Sequence, residues 1–207
     1  MSAGKVLLFV FGGLLLICLL FVLWVIGVYN NLATEKQAVD SQWAQVENVY
    51  QRRYDLVPNL VDTVAGAAKF EKSTLVEVTT ARASVGKVNI TVPPGSAPVD
   101  QSQLNAYAAA QGQLGNALSH LLVVSENYPQ LTATASFRDL QAQLEGTENR
   151  IAVERGRFNE TVQTYDTALA RFPGGVIGHM FNFTPRPYFA AEANAQTAPK
   201  VDFSGKF

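Results

Sequence analysis

The dominant pattern in the chain is an uninterrupted apolar run from Val6 to Tyr29, reading VLLFVFGGLLLICLLFVLWVIGVY without a charged residue. At about 1.5 Å per residue it makes a helix of roughly 36 Å, enough to cross a hydrocarbon core of about 30 Å with some tilt. The run is longer than a secretory signal's apolar region, about 7–15 residues, and no A-x-A site follows it. Cys18 offers a second alternative, lipid attachment after cleavage, but Ile17 stands where that processing requires a small residue. The run therefore reads as a retained single-pass anchor, with Trp24 and Tyr29 near its exit where aromatic rings favour the headgroup layer. Lys5 on one side and Lys36, Arg52 and Arg53 on the other leave its orientation open.

Beyond the anchor, three apolar stripes follow steps of three and four, the spacing of helices that pack on helices in coiled-coil fashion. The first carries Trp43, Val46, Tyr50, Arg53, Val57, Leu60 and Val64, with Leu75, Val78 and Val85 extending a similar face. Pro58 lies inside it, where a proline loses one hydrogen bond and crowds the preceding turn, at about 3 kcal/mol. The stripe keeps its phase across Pro58, which favours a kinked continuous helix over a break there into two antiparallel helices. The second stripe carries Leu104, Tyr107, Gln111, Leu114, Leu118 and Leu121, with Asp100 or Ser102 as N-cap and Tyr128-Pro129 as the stop. The third runs from Phe137 through Leu140, Leu144, Thr147, Ile151, Arg155, Phe158, Val162, Tyr165 and Leu169 to Phe172. Thr134 or Ser136 caps its start, and Pro173-Gly174-Gly175 ends it.

The expected fold is all-α: an N-terminal transmembrane helix, then an elongated antiparallel helical bundle of three long helices, or four if the first breaks near Pro58. The divisions are a short flank over 1–5, the anchor over 6–29, the bundle over 30–172 with a loop over 86–100, and an irregular tail over 173–207. The only β-like run, Val88 to Val92, falls inside the loop.

Composition narrows the function. The net charge of −1 lacks the basic footprint of a nucleic-acid binder. One cysteine and two unpaired histidines, His120 and His179, make neither a disulfide framework nor a metal cluster, so no cofactor is expected. No phosphate-binding glycine loop, nucleophile elbow or H-E-x-x-H motif occurs, which disfavours an enzyme. Arg53 and Arg155 occupy stripe positions and Glu148 lies beside one. They form either a buried charged binding cluster or an ion-pair network that fixes helix register, and the latter is the better-attested use. Asn159, beside Phe158, is placed to bond across helices for the same purpose.

At these residues the chain resembles the LemA family of bacterial membrane proteins. Arg52-Arg53-Tyr54-Asp55-Leu56-Val57-Pro58-Asn59-Leu60-Val61 is similar to that family's RR-x-D-L-[IV]-P-N-L-V block. Glu71, Ala81-Arg82, Glu126-Asn127-Tyr128-Pro129, Thr147-Glu148-Asn149, Arg155, Phe158-Asn159, Phe172-Pro173 and Pro187-Tyr188-Phe189 follow in the family's order. Asp166 departs from it, since the family usually carries Asn there. The resemblance implies a membrane span, a helical bundle in a bacterial plasma membrane with the domain on the cytoplasmic side, and no catalytic residues.

Two functions remain. In the first, copies associate through bundle faces and the aromatic tail as a membrane scaffold, a homo-oligomer with the bilayer as its other partner. Phe181, Phe183, Tyr188 and Phe189 are the tail residues concerned, and Val201-Asp202-Phe203 suits strand addition to a partner. The opposing reading packs that tail on its own bundle. In the second, an adaptor or sensor docks another membrane protein, such as a protease or signalling kinase, through an elbow at Arg52, Arg53, Asp55, Pro58 and Asn59. The bland version of that elbow is a bend held by its own side chains.

Overall fold

The computed structural model describes residues 3–66, 70–89 and 97–190, and among these it contains helices and no strand. The helices are α1 (Ala3–Ala65), α2 (Lys72–Asn89), α3 (Gln101–Ser125), α4 (Pro129–Thr132), α5 (Ala135–Ala170) and α6 (Gly174–Met180). At 63 residues, α1 carries the apolar run directly into the bundle, and at 1.5 Å per residue it is about 95 Å long. The apolar run is exposed on all sides until Trp24, whereas Val25 and Val28 already pack against the bundle core.

Helix α1 passes through Pro58 without a break. Pro58 has no N–H, so the carbonyl of Tyr54 loses its partner one turn later. Arg82 of α2 supplies a replacement: its Nε donates to the Tyr54 carbonyl over 3.4 Å, and its guanidinium lies 3.9 Å above the Tyr54 ring. The break comes later, after Ala65, so Val78 and Val85 sit on the separate helix α2. The two stripes looked continuous because Val64 and Leu75 are eleven residues apart, three helical turns, so the phase survives the interruption. Helix α2 extends to Asn89, four residues into the expected loop, while 90–96 fall outside the described residues.

Four long helices therefore run alternately away from the anchor and back. Helix α1 packs chiefly along α5 and α2 along α3. The Asp100 carboxylate accepts from the Gln103 N–H at 2.8 Å to cap α3, and Thr134 Oγ1 accepts from the Phe137 N–H at 3.3 Å to cap α5. Tyr128 closes the far end against Phe70, ring centroids 4.9 Å apart.

The core is in two parts. Nearer the anchor, Trp43 centres an aromatic cluster, with Tyr107 at 5.2 Å, Phe158 at 5.5 Å and Phe189 stacked at 6.1 Å. Farther out, Val57, Leu60, Val64, Leu114, Leu121 and Phe137 form an aliphatic cluster. Arg53, Gln111 and Thr147, all buried, lie at the level between them. The third stripe ends sooner than expected: α5 stops at Ala170, and Phe172 is exposed.

Candidate functional site

The polar level between the two clusters is built from one residue on each of three helices. Arg53 of α1 donates through Nη1 to Glu148 Oε1 of α5 at 2.8 Å. Through Nη2 it donates to the Gln111 carbonyl at 2.8 Å and to Gln111 Oε1 at 2.6 Å, on α3. The guanidinium lies 5.2 Å from the centre of the Tyr50 ring. A Cβ at Gly115 would stand 3.3 Å from Arg53 Nη1, so a residue without one leaves room for the guanidinium. The Arg53 side chain is 4% exposed and that of Glu148 48%, so the carboxylate retains water while the cation does not. Burial pushes the Tyr50 phenol up, against the pull of Arg155 and Arg53. Burial likewise raises Tyr107, helped by Tyr50 and Glu47. Both phenols stay neutral near pH 7.

The expected elbow divides by direction. Arg53, Leu56, Val57 and Leu60 face the core, and Pro58 is half-buried. Arg52, Asp55 and Asn59 face solvent, with Asp55 accepting from Gln51 along the same helix at 2.8 Å. Arg155 does not join Arg53 and Glu148 in one ion-pair network. It lies 4.7 Å over the Phe189 ring and donates to the Ala190 carbonyl at 3.3 Å.

An open groove of about 760 Å³ exposes this level between α3 and α5, lined by Gln111, Gly112, Gly115, Ser119, Glu148 and Arg155 among others. Its charged groups are already engaged within the chain, and it holds no nucleophile paired with a base. The arrangement can hold helices in register and admit a neighbour; nothing in it proposes bond chemistry.

The second constellation fastens the start of the tail. After α6 the chain has no regular secondary structure over 183–190. Asn159 grips it with both ends of its amide: Nδ2 donates to the Phe189 carbonyl at 3.0 Å, and Oδ1 accepts from the Phe189 N–H at 2.9 Å. Asn159 thus sets the tail rather than pairing helices, because the backbone it meets belongs to a non-helical segment whose N–H and C=O groups need partners. The Tyr165 hydroxyl donates to the Thr184 carbonyl at 2.9 Å, and Asp166 Oδ1 accepts from the Arg186 N–H at 3.0 Å.

Arg186, flanked by two prolines, is itself buried. It donates to the carbonyls of Ala97 and Pro98 at 3.2 and 3.3 Å and lies 3.6 Å from Asp40 of α1. Burial raises the Asp166 carboxyl, partly offset by the Arg186 N–H and by Tyr188. The Tyr188 phenol is raised by burial and by Asp166. The sequence did not flag Arg186, Asp40 or Asp166 as a set; the one hint was Asp166, the departure from the resembled family's pattern.

Of the tail aromatics, Phe189 is buried in the core and Phe183 half-buried, while Phe181 and Tyr188 are exposed. Phe181 and Phe183 flank Tyr29 at 5.0 and 5.6 Å, and Phe172 lies 6.4 Å from Trp24. Part of the expected irregular tail is helical, since α6 covers Gly174–Met180. Gly174 and Gly178 permit its tight docking: a Cβ on the first would strike the Ala168 carbonyl and on the second the Leu169 side chain. The Val201–Phe203 run lies outside the described residues.

The model of the LemA family matches residues 42–203. Among curated proteins, the chain is 26% identical over 174 residues to the magnetosome protein MamQ of Magnetospirillum gryphiswaldense, covering 78% of this chain and 64% of the relative. It is 25% identical over 182 residues to the magnetosome protein MamQ 2 of Paramagnetospirillum magneticum, covering 82% of this chain and 67% of the relative. The chain thus spans only about two thirds of the length of these relatives.

Proposed function

The chain belongs to the LemA family, and from that premise we propose that it is a non-enzymatic membrane scaffold whose copies associate side by side through the α3–α5 groove. The observation that carries this reading is the groove itself. With α1 packed along α5 and α2 along α3, the fourth side of the bundle stays open. The α3 wall includes Ala108, Gly112, Gly115 and Ser119 alongside larger residues such as Asn116 and Leu122, and the small ones let a neighbouring helix approach closely. Arg53 and Glu148 within it are paired with each other, and Arg155 and Glu145 bond to neutral groups of the chain, which favours shape over charge as the basis of association. The apolar helix near the N-terminus gathers the copies in one bilayer, and relatives described as magnetosome proteins fit a role tied to a membrane.

Cys18 is the sole cysteine, so a Cys18→Ser chain carrying Ser119→Cys reports on the groove alone. Oxidation in membranes is expected to yield covalent dimers from Ser119→Cys and none from Arg52→Cys on the outward face of α1. Equal yields from both would count against the groove.

A second reading has its own observation: Arg52, Asp55 and Asn59 of the family block face solvent on α1. An adaptor would use that face to dock another membrane protein. Arg52→Glu would then remove a co-purifying partner while leaving helicity unchanged; retention of every partner would reject this reading.

A further inference from the structure

The corner where α5 turns into α6 presents a cluster of apolar side chains that the bundle does not cover. Phe172 is 80% exposed, Val176 59%, Met180 58% and Phe181 47%. They are not scattered over the surface, where single exposed apolar residues need no explanation. The ring of Phe172 meets Trp24, and that of Phe181 meets Tyr29. Trp24 and Tyr29 lie on the last turns of the exposed apolar run. Five residues separate them, so Trp24 lies about 7.5 Å deeper along α1 than Tyr29. The corner therefore hangs beside the end of the span rather than above it. The Trp24 and Phe172 ring centroids are 6.4 Å apart, so the two rings differ in depth along the membrane normal by no more than that.

The opposite face of the corner is fixed to the bundle. Ile177 is buried, and Gly178 lies against Leu169 and Leu32. Val25 and Val28 of the run pack on the same core. The exposed side chains are thus held at a set height rather than carried on a loose segment. Arg171, exposed beside them, lines a crevice with Trp24, Asn31 and Phe172, and a long cationic side chain next to apolar rings can keep its stem among them while its head stays in a polar layer.

We propose that this corner is a second membrane contact, with Phe172, Val176, Met180 and Phe181 inserted at the headgroup–acyl boundary beside the span. The occupant is the bilayer, because the surface is continuous with the exposed face of the anchor. The bundle then stands on two points, and its tilt and rotation relative to the membrane are fixed. The inference rests on α1 crossing the bilayer, and its test separates the two.

The full chain is reconstituted in phosphatidylcholine vesicles, with or without lipids brominated near the headgroup end of the acyl chains, and tryptophan emission is read. The native chain against Trp24→Phe reports the span. Trp43, nineteen residues beyond Trp24 and about 28 Å farther along α1, remains as an unquenched internal reference. Phe172→Trp and Met180→Trp, each in the Trp24→Phe background, report the corner. The added tryptophan in each is expected to lose roughly half its emission, as expected for a ring about 5–10 Å into the boundary. Quenching of Trp24 without quenching at positions 172 and 180 would overturn the proposal, whether another copy or solvent covers the corner. Absence of quenching at Trp24 would overturn the span, and the proposal with it.

Discussion

Arg53 and Arg186 are both buried arginines, and they hold different kinds of structure. Arg53 joins three helices at one level and faces a carboxylate, Glu148, that keeps half its exposure to water. Arg186 is held mostly by the Ala97 and Pro98 carbonyls before α3, with Asp40 of α1 at a longer 3.6 Å, and it pins one non-helical segment to another beside the bundle. The first ties α1, α3 and α5 together at one height along stripes whose apolar positions repeat turn after turn. The second gives order to a stretch that has no periodic pattern of its own. A buried charge in this chain therefore marks a place where hydrophobic packing underdetermines the arrangement.

The largest effect is expected at the first arginine. Arg53→Ala removes the donors to Gln111 and Glu148 and opens a cavity, and should cost about 3 kcal/mol, read as a lowered thermal midpoint. Arg53→Met fills the space with apolar atoms and should recover most of that loss, since a well-packed substitute for a buried ion pair is often close to neutral. Equal losses in the two variants would show that the charge itself supplies stability, contrary to a register role.

The tail should respond more locally. Asn159→Ala breaks both bonds to Phe189 and should cost about 1–2 kcal/mol. Amide exchange should rise at Phe189 and Arg186 and stay unchanged in α1 and α3. A uniform rise across the bundle would mean that the tail is integral to the core rather than latched to it.

A smaller effect tests how α1 survives its proline. Arg82→Ala should cost about 1 kcal/mol by leaving the Tyr54 carbonyl without its donor and its ring without the cation. In a Pro58→Ala background, which restores the N–H, that cost should shrink by half or more in a double-mutant cycle. Additive losses would remove the link between the two residues.

The smallest effect is at Asp166. Its carboxyl is raised above 3.8 by burial, so the folded chain binds its proton more tightly than the unfolded chain does. That term costs the native chain stability as pH rises from 3.8 through the folded value. Asp166→Asn keeps an acceptor for the Arg186 N–H and lacks the term. It should match the native chain below that window and be slightly more stable above it. A variant less stable at neutral pH would indicate that the charge, not the acceptor, holds Arg186.

The same contrast explains what the sequence disclosed. Every stripe residue read from Trp43 to Val64 and from Leu104 to Leu121 is buried, because burial between helices obeys the helical period, while Leu56, Ala110 and Ala117 are buried beside the stripes. The Arg53–Glu148 pair was legible as charge in a core register. The break after Ala65 was hidden, since eleven residues preserve phase. Phe172 kept the period but lies beyond the last turn of α5, where periodicity no longer dictates burial. Arg186 and the Asn159 latch were illegible for a simpler reason: in each a side chain meets backbone groups of a non-helical segment, and backbone partners carry no side-chain signature.

Self-association is the claim on which the functional account depends. Its most direct measurement is the mass of the full chain extracted with surrounding lipid into discs or mild detergent. The account predicts a discrete assembly of several copies that falls apart when Gly112→Trp fills the groove. A single copy per particle across the concentration range would contradict it.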